Sequence, residues 1–168
     1  MFRMVLVLLV LFPAPAMAVE YQHSVKAGDM TLQWTLGEQT LDIKLTAKTS
    51  GWVGIGFNPT RAMKDAAFFI GAVADGMPKV TQHYGDSAYN HSKAMSASEF
   101  TNVTGREENG LTEITFSLPA VFKDSKFKPI QTNSETLVLL AYATDDSFSA
   151  KHRFRAEKIV NLATGAVK

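Results

Sequence analysis

From Glu20 onward, apolar and polar residues alternate with period two. Met30, Leu32, Trp34 and Leu36 interleave with Thr31, Gln33 and Thr35, and Leu41, Ile43 and Leu45 interleave with Asp42, Lys44 and Thr46. Alternation of this kind sends successive side chains to opposite faces of an extended chain, so it predicts two half-buried strands, joined by a short hairpin link at Gly37-Glu38-Gln39. The next segment, Gly51-Trp52-Val53-Gly54-Ile55-Gly56-Phe57, alternates unequally. Val53, Ile55 and Phe57 put bulk on one face, whereas Gly54 and Gly56 leave the other nearly bare beside Trp52. Glycine weakens a strand interior and marks a close approach by a ligand or another backbone, so the bare face predicts that something flat lies on it. Pro59 ends the pairing, a polar link holding Met63 follows, and Ala66 to Ala74 then runs apolar without alternation, as in a strand buried on both faces.

Turn signals order the rest. Asp75-Gly76 leads into a short strand from Lys79 to Tyr84, and Asn109-Gly110 joins Phe100–Arg106 to Leu111–Leu118 as a hairpin. Gly85 to Ser98 is small and polar and reads as a long surface loop. Between Pro119 and Glu135 the chain is irregular, with Lys123, Lys126 and Lys128 interleaved with Phe122 and Phe127. That is either a docking patch or ordinary lysine stems lying over apolar rings. The continuous apolar run from Leu137 to Ala143 predicts a second strand buried on both faces, and Ala150–Arg155 with Glu157–Leu162 completes the chain. No segment carries a helical period. About ten short strands separated by turns predict an all-β, antiparallel β-sandwich of the immunoglobulin-like kind.

With 168 residues, 46% of them hydrophobic, the chain suits one domain with a full core. Arg3, the apolar run Val5 to Phe12 and the small-residue site Ala16-Met17-Ala18 have the order of a secretory signal peptide, which predicts residues 1–18 as a cleaved leader and 19–168 as the mature domain. The expected location is therefore periplasmic or secreted, with no membrane span in the mature chain. Of 17 basic residues, loss of Arg3 leaves 16 against 16 acidic ones, and a neutral surface argues against nucleic acid as a partner. Cysteine is absent, which excludes disulfides, thiolate metal sites and haem attached through C-x-x-C-H. Any haem here is held noncovalently.

The sequence contains no G-x-S-x-G, H-E-x-x-H, glycine-rich phosphate loop or EF-hand loop, so hydrolytic and nucleotide chemistry are not indicated. The remaining candidates are four histidines, His23, His83, His91 and His152, and four methionines of the mature chain, Met30, Met63, Met77 and Met95. His83 and His91 straddle the predicted loop, and either they share a metal ion or each is simply solvated. Strand alternation would turn His152 to the face opposite Lys151 and Arg153, toward the opening of the sandwich.

Gly51-Trp52-Val53-Gly54-Ile55-Gly56-Phe57-Asn58, followed by Met63 and an apolar strand, Asp75-Gly76, Glu113-Ile114-Thr115-Phe116-Ser117-Leu118-Pro119 and finally His152, resembles the DOMON family over roughly Val25 to Leu162. The resemblance implies a β-sandwich that binds haem or sugar. In the haem-binding branch, similar to the cytochrome domain of cellobiose dehydrogenase, a Met in the link after the glycine strand and a His near the C-terminus are axial ligands of haem b. Those roles fall on Met63 and His152, with Lys151 as the runner-up because a related branch uses Lys. A porphyrin needs a flat apolar wall, and Trp52, Gly54, Gly56 and Phe57 are the expected wall. The function implied is an exported b-type electron carrier that serves a redox partner protein in the periplasm or membrane and does no substrate chemistry of its own. The alternative is a non-redox module binding a sugar or other small ligand.

Overall fold

Two antiparallel sheets pack face to face. The computed structural model describes residues 20–168, which carry eleven strands and no helix; the leader expected over 1–18 lies outside the described residues. The strands are β1 His23–Ala27, β2 Met30–Leu36, β3 Thr40–Ala47, β4 Val53–Phe57, β5 Ala67–Ala74, β6 Met77–Gly85, β7 His91–Lys93, β8 Thr101–Glu108, β9 Leu111–Pro119, β10 Glu135–Tyr142 and β11 Phe154–Asn161. The first sheet has the order β1-β2-β3-β9-β8 and the second β11-β10-β4-β5-β6-β7. The glycine strand is thus central in the second sheet, paired with β10 on one side and β5 on the other. Both predicted tight hairpins form, with positive φ at Asp75 and Gly76 and again at Asn109 and Gly110, the backbone twist a two-residue link requires.

The inner faces supply the core. Leu32 and Trp34 of β2, Ile43 and Leu45 of β3 and Phe116 of β9 meet Ile55 and Phe57 of β4 and Leu140 of β10, all 2% exposed or less. Phe69 of β5 lies at the centre, stacked on Phe122 at 5.9 Å and edge-on to Phe57 at 6.5 Å. Phe122 and Phe127 are therefore core residues, and the lysines between them ride over the core, with Lys126 Nζ 4.1 Å from the Tyr84 ring. Of the two readings of that segment, lysine stems over apolar rings is the one its structure displays. The Trp34 indole donates to the Leu162 carbonyl at 2.9 Å, which clasps the first sheet to the end of the second.

The outer faces differ. On the first sheet the outward residues are polar, and Lys44 and Arg106 both pair with Glu113, at 2.7 and 3.3 Å. Outside the second sheet lies a separate apolar group built on Trp52, Ala66, Phe68, Ile70 and Ala143, with Met63, Leu139, Ala141 and Phe148 packed against it. One sheet has an ordinary solvated back, and the other has an apolar back that needs a cover.

Three local expectations are corrected. The Gly85–Ser98 loop contains β7, a three-residue edge strand paired with β6. The run 137–143 is buried at Val138 and Leu140 on its inner face but on its outer face only at Ala143, because Leu137, Leu139 and Ala141 point outward and remain half-exposed. Residues 150–153 are not strand: β11 starts at Phe154, so His152 sits in the approach to it.

Candidate functional site

A cleft of about 370 Å³ opens on the apolar back of the second sheet, within the ~300–1,000 Å³ that small ligands and cofactors occupy. Its floor follows from strand register. Gly56 of β4 faces Phe68 of β5 on one side and Leu139 of β10 on the other, and Gly54 faces Ile70 and Ala141. Leu139, Ala141 and Phe68 line the cleft. The bare space over Gly56 is filled from within, since a Cβ there would stand 2.5 Å from Phe68 Cε1. Over Gly54, Ile70 Cγ1 and Trp52 Cζ3 lie at ordinary contact, 3.4 and 3.5 Å.

One wall is the link between β4 and β5, which turns sharply through positive φ at Asn58, Ala62 and Asp65. Asp65 ties it down by accepting from the Thr60 hydroxyl at 2.5 Å and the Tyr84 hydroxyl at 2.9 Å. These bonds hold the Asp65 carboxyl below the usual carboxylate range, Thr60 contributing most. Gly85 closes the arrangement: its amide donates to the Ala66 carbonyl at 2.9 Å and its carbonyl accepts from Asp65 at 2.8 Å. Held this way, Ala62 and Met63 face the cleft. Ala88 and Tyr89 come from the loop after β6, whose Ala88 carbonyl accepts from the Met63 amide at 3.4 Å.

The opposite wall is the approach to β11 and its first residues, His152, Arg155, Ala156 and Glu157. His152 is half-buried between exposed Lys151 and Arg153. Burial is the largest cause lowering the His152 pKa, and the charges of Arg155 and Lys151 act in the same direction against a backbone hydrogen bond; the balance favours the uncharged imidazole.

Beside the cleft, still on the outer face, stand His83 and His91. Their Nδ1 atoms are 3.0 Å apart, His83 Nε2 is 3.0 Å from the Thr81 hydroxyl, and the His91 ring packs 5.3 Å from Phe68. Neither is simply solvated. Burial is the largest cause depressing both, and His83 falls to about 4, so the pair shares a hydrogen bond between neutral rings. Among the described residues no group of three or more His, Asp or Glu is placed to hold a metal ion.

Of the residues expected at the site, Met63 and His152 line the cleft from opposite sides. Gly54 and Gly56 form the sheet beneath it, covered by Trp52 and Phe68, and Trp52 itself is 4% exposed with its indole nitrogen unpartnered. Phe57 is corrected: at 1% exposure it lies on the inner face with Val53 and Ile55, because residues 54 and 56 have the opposite parity. Lys151 is exposed and does not line the cleft. Phe68, Leu139 and Ala141 were missed, although a signal existed. An apolar run with no polar alternation predicts two buried faces, and on β10 the second face is the cleft floor.

The DOMON domain family model matches residues 26–143, which takes in the glycine strand and Met63 but stops before His152. DBH-like monooxygenase protein 1 of Mus musculus is 32% identical over 147 residues, 84% of this chain and 24% of that protein. The Homo sapiens protein of the same name is 30% identical over 127 residues, 76% of this chain and 20% of its own length. The chain thus spans about a quarter or less of these curated relatives. Among solved structures it is similar to the cytochrome b domain of pyranose dehydrogenase from Coprinopsis cinerea, with TM-score 0.65 and 14% identity over 82% of this chain and 78% of that one. The cytochrome domain of Myriococcum thermophilum cellobiose dehydrogenase gives TM-score 0.64 and 10% identity over 85% and 83%. At such identities these two speak for the fold, while the family match and the curated relatives carry the assignment: this chain belongs to the DOMON domain family.

Proposed function

We propose that the chain is an exported b-type haem-binding electron-transfer module, with Met63 and His152 as the axial ligands. One observation carries the reading: a thioether and a neutral imidazole, from distant parts of the sequence, line the same apolar cleft. Two protein donors do not make a cage for a bare ion, but they suit a metal that brings its remaining donors with it, as haem iron does. The donor set and the apolar floor of Phe68, Leu139 and Ala141 both fit such a group. Bound haem would supply a one-electron couple. The chain's own residues hold and seclude it: Asp65 and Gly85 fix the Met63 link, Phe68 excludes water from the floor, and Arg155 offers a cation at the rim. With both axial positions taken by side chains, the site is suited to passing electrons and not to substrate turnover, which would place the chemistry in a partner protein. The N-terminal pattern of residues 1–18 supports export to the periplasm or beyond.

The test is an absorption spectrum of protein produced with haem supply, alongside Met63→Ala and His152→Ala. The wild type should show a low-spin ferrous spectrum that carbon monoxide barely changes. His152→Ala should lose most of its haem, and Met63→Ala should keep a high-spin haem that binds carbon monoxide. A red His152→Ala with a normal spectrum would transfer the ligand role elsewhere, to Lys151 first.

A second reading, a sugar-binding module, is favoured by Tyr89, an aromatic ring 82% exposed at the edge of the cleft, where a pyranose could stack. Absence of haem uptake by the wild type would leave that reading in place.

A further inference from the structure

We propose that His83 and His91 form a two-histidine chelate for a divalent first-row transition ion such as Zn²⁺, beside the cleft and independent of what the cleft holds. The two residues are diagonal neighbours on the outer face of the second sheet. β6 and β7 pair His83 with Lys93 and Gly85 with His91, so the two rings lean toward each other across the ladder. Their Nδ1 atoms are 3.0 Å apart and the ring planes cross at 72°. Two nitrogens bound to one tetrahedral zinc at about 2.0–2.1 Å stand about 3.3 Å from each other. A shift of a few tenths of an ångström therefore turns the hydrogen bond into a chelate. β7, three residues long at the edge of its sheet, can supply that shift.

Thr81 sets the tautomers. Its hydroxyl donates to the Ile70 carbonyl at 3.4 Å, which leaves the oxygen to accept from His83 Nε2 at 3.0 Å. His83 then carries its proton on Nε2 and aims the Nδ1 lone pair at His91. Metal-binding histidines are oriented in this way, with the ring N–H that does not face the metal donated to an acceptor of the fold. His91 has only to move its proton from Nδ1 to Nε2 for a second lone pair to converge on the same point, and that exchange releases no proton. His83 is 7% exposed and Phe68 backs the His91 ring at 5.3 Å, so both donors stand on packed elements. Burial, the largest cause at both rings, favours the uncharged form that a metal requires. The nearby charges are mixed, with Asp86 and His152 acting on His91 and the exposed Lys93 on His83. Imidazole donors suit zinc, copper and nickel, whereas calcium and magnesium take oxygen. Among the described residues no third His, Asp or Glu completes a cage, so the ion keeps water on its remaining positions.

Zinc titration of the haem-free protein tests the assignment, followed by calorimetry and by the ring nitrogen shifts of isotopically labelled histidine. One Zn²⁺ per chain should bind with a Kd of about 0.1 mM or tighter. The large shifts should fall on Nδ1 of His83 and His91 while His23 and His152 stay unmoved, and Ca²⁺ should give no heat. His91→Ala, a change on the half-exposed edge strand, should weaken binding by about tenfold or more, and Thr81→Val, which removes the orienting acceptor, by about tenfold. Shifts centred on His152 or His23, a Kd weaker than about 0.1 mM, or unaltered binding by His91→Ala would each overturn the proposal. The ring shifts are read on the wild type, so they decide the matter even where a variant misfolds. A protein that takes up haem but ignores zinc would sink this site alone. A colourless protein that binds zinc at His83 and His91 would sink only the cytochrome reading.

Discussion

Gly85→Ala should dislodge Met63 without touching it. Gly85 closes β6 directly beneath the β4–β5 link, and a Cβ there would overlap the Met63 carbonyl oxygen outright, with the carbonyl carbon 2.7 Å away and the Ala66 nitrogen 3.2 Å away. These obstacles are backbone and cannot rotate aside, so the link must retreat by roughly 1.5 Å before the carbonyl oxygen clears the new Cβ. The retreat strains three hydrogen bonds, Asp65 to Gly85, Gly85 to Ala66 and Ala66 to Met63, at 2.8, 2.9 and 3.2 Å. At about 0.5–1.5 kcal/mol each they represent roughly 2–4 kcal/mol. Gly85 does not have positive φ, so alanine also returns about 0.4–1 kcal/mol by restricting the unfolded chain. The net loss is about 2 kcal/mol, or a fall of roughly 4–8 °C in the unfolding midpoint. Thermal unfolding by circular dichroism, done without haem, measures it, with Gly54→Ala as control because its nearest neighbours lie at 3.4 Å and beyond. A Gly85→Ala midpoint within about 1 °C of wild type would refute the argument that this glycine seats the Met63 link.

Other outcomes follow from the same geometry. Gly56→Ala pushes the Phe68 ring, now 2.5 Å from the position of the new Cβ, toward the cleft; the ring has space to move, so stability should fall by less than about 1.5 kcal/mol while haem uptake drops clearly. Trp34→Phe removes the donor to the Leu162 carbonyl and leaves that buried acceptor unpaired, costing about 2–3 kcal/mol in urea unfolding. Stability should also depend on pH through the histidines: His83 titrates near 4 in the fold and 6.5 in the unfolded chain, so below about pH 6.5 the unfolded state binds the extra proton and stability falls until the folded ring titrates. His91 and His152 are depressed in the same direction, and His83→Asn should reduce the slope by up to about one proton.

The regular parts of the fold were legible because local patterns dictate them. Alternation in residues 30–46 gave β2 and β3 with their faces, and Asp75-Gly76 and Asn109-Gly110 demand the positive φ they adopt. Less legible was whatever depends on partners distant in the chain. β7 is three polar residues that become a strand only because β6 offers an edge. The segment from Gly85 to Ser98 has few apolar anchors and so reads as a free loop, but its backbone is bonded to Met63 through Ala88, a contact no side-chain pattern announces. Strand parity would have put His152 on the inner face with Phe154, Ala156 and Val160, and it reaches the outer-face cleft only because residues 150–153 belong to no strand. Phe57 shows the opposite case: its parity with Val53 and Ile55 already excluded it from the wall, and the attraction of an aromatic beside two glycines concealed that.

The position of β4 at the middle of the cleft sheet has a consequence for how the site comes into being. One of its edges pairs with β5, a few residues downstream, but the other pairs with β10, Phe57 opposite Val138 and Val53 opposite Tyr142. A growing chain therefore carries β4 with one ladder edge unmet until most of its residues have been synthesised, and long-range pairing of this sort is slow and exposes edges to aggregation. The floor, the Met63 wall and the His152 wall become one structure only after Tyr142 has docked and Phe154–Asn161 has added the last strand. The complete cleft is a property of the folded two-sheet chain, and a truncation that removes β11 takes with it the wall that faces Met63.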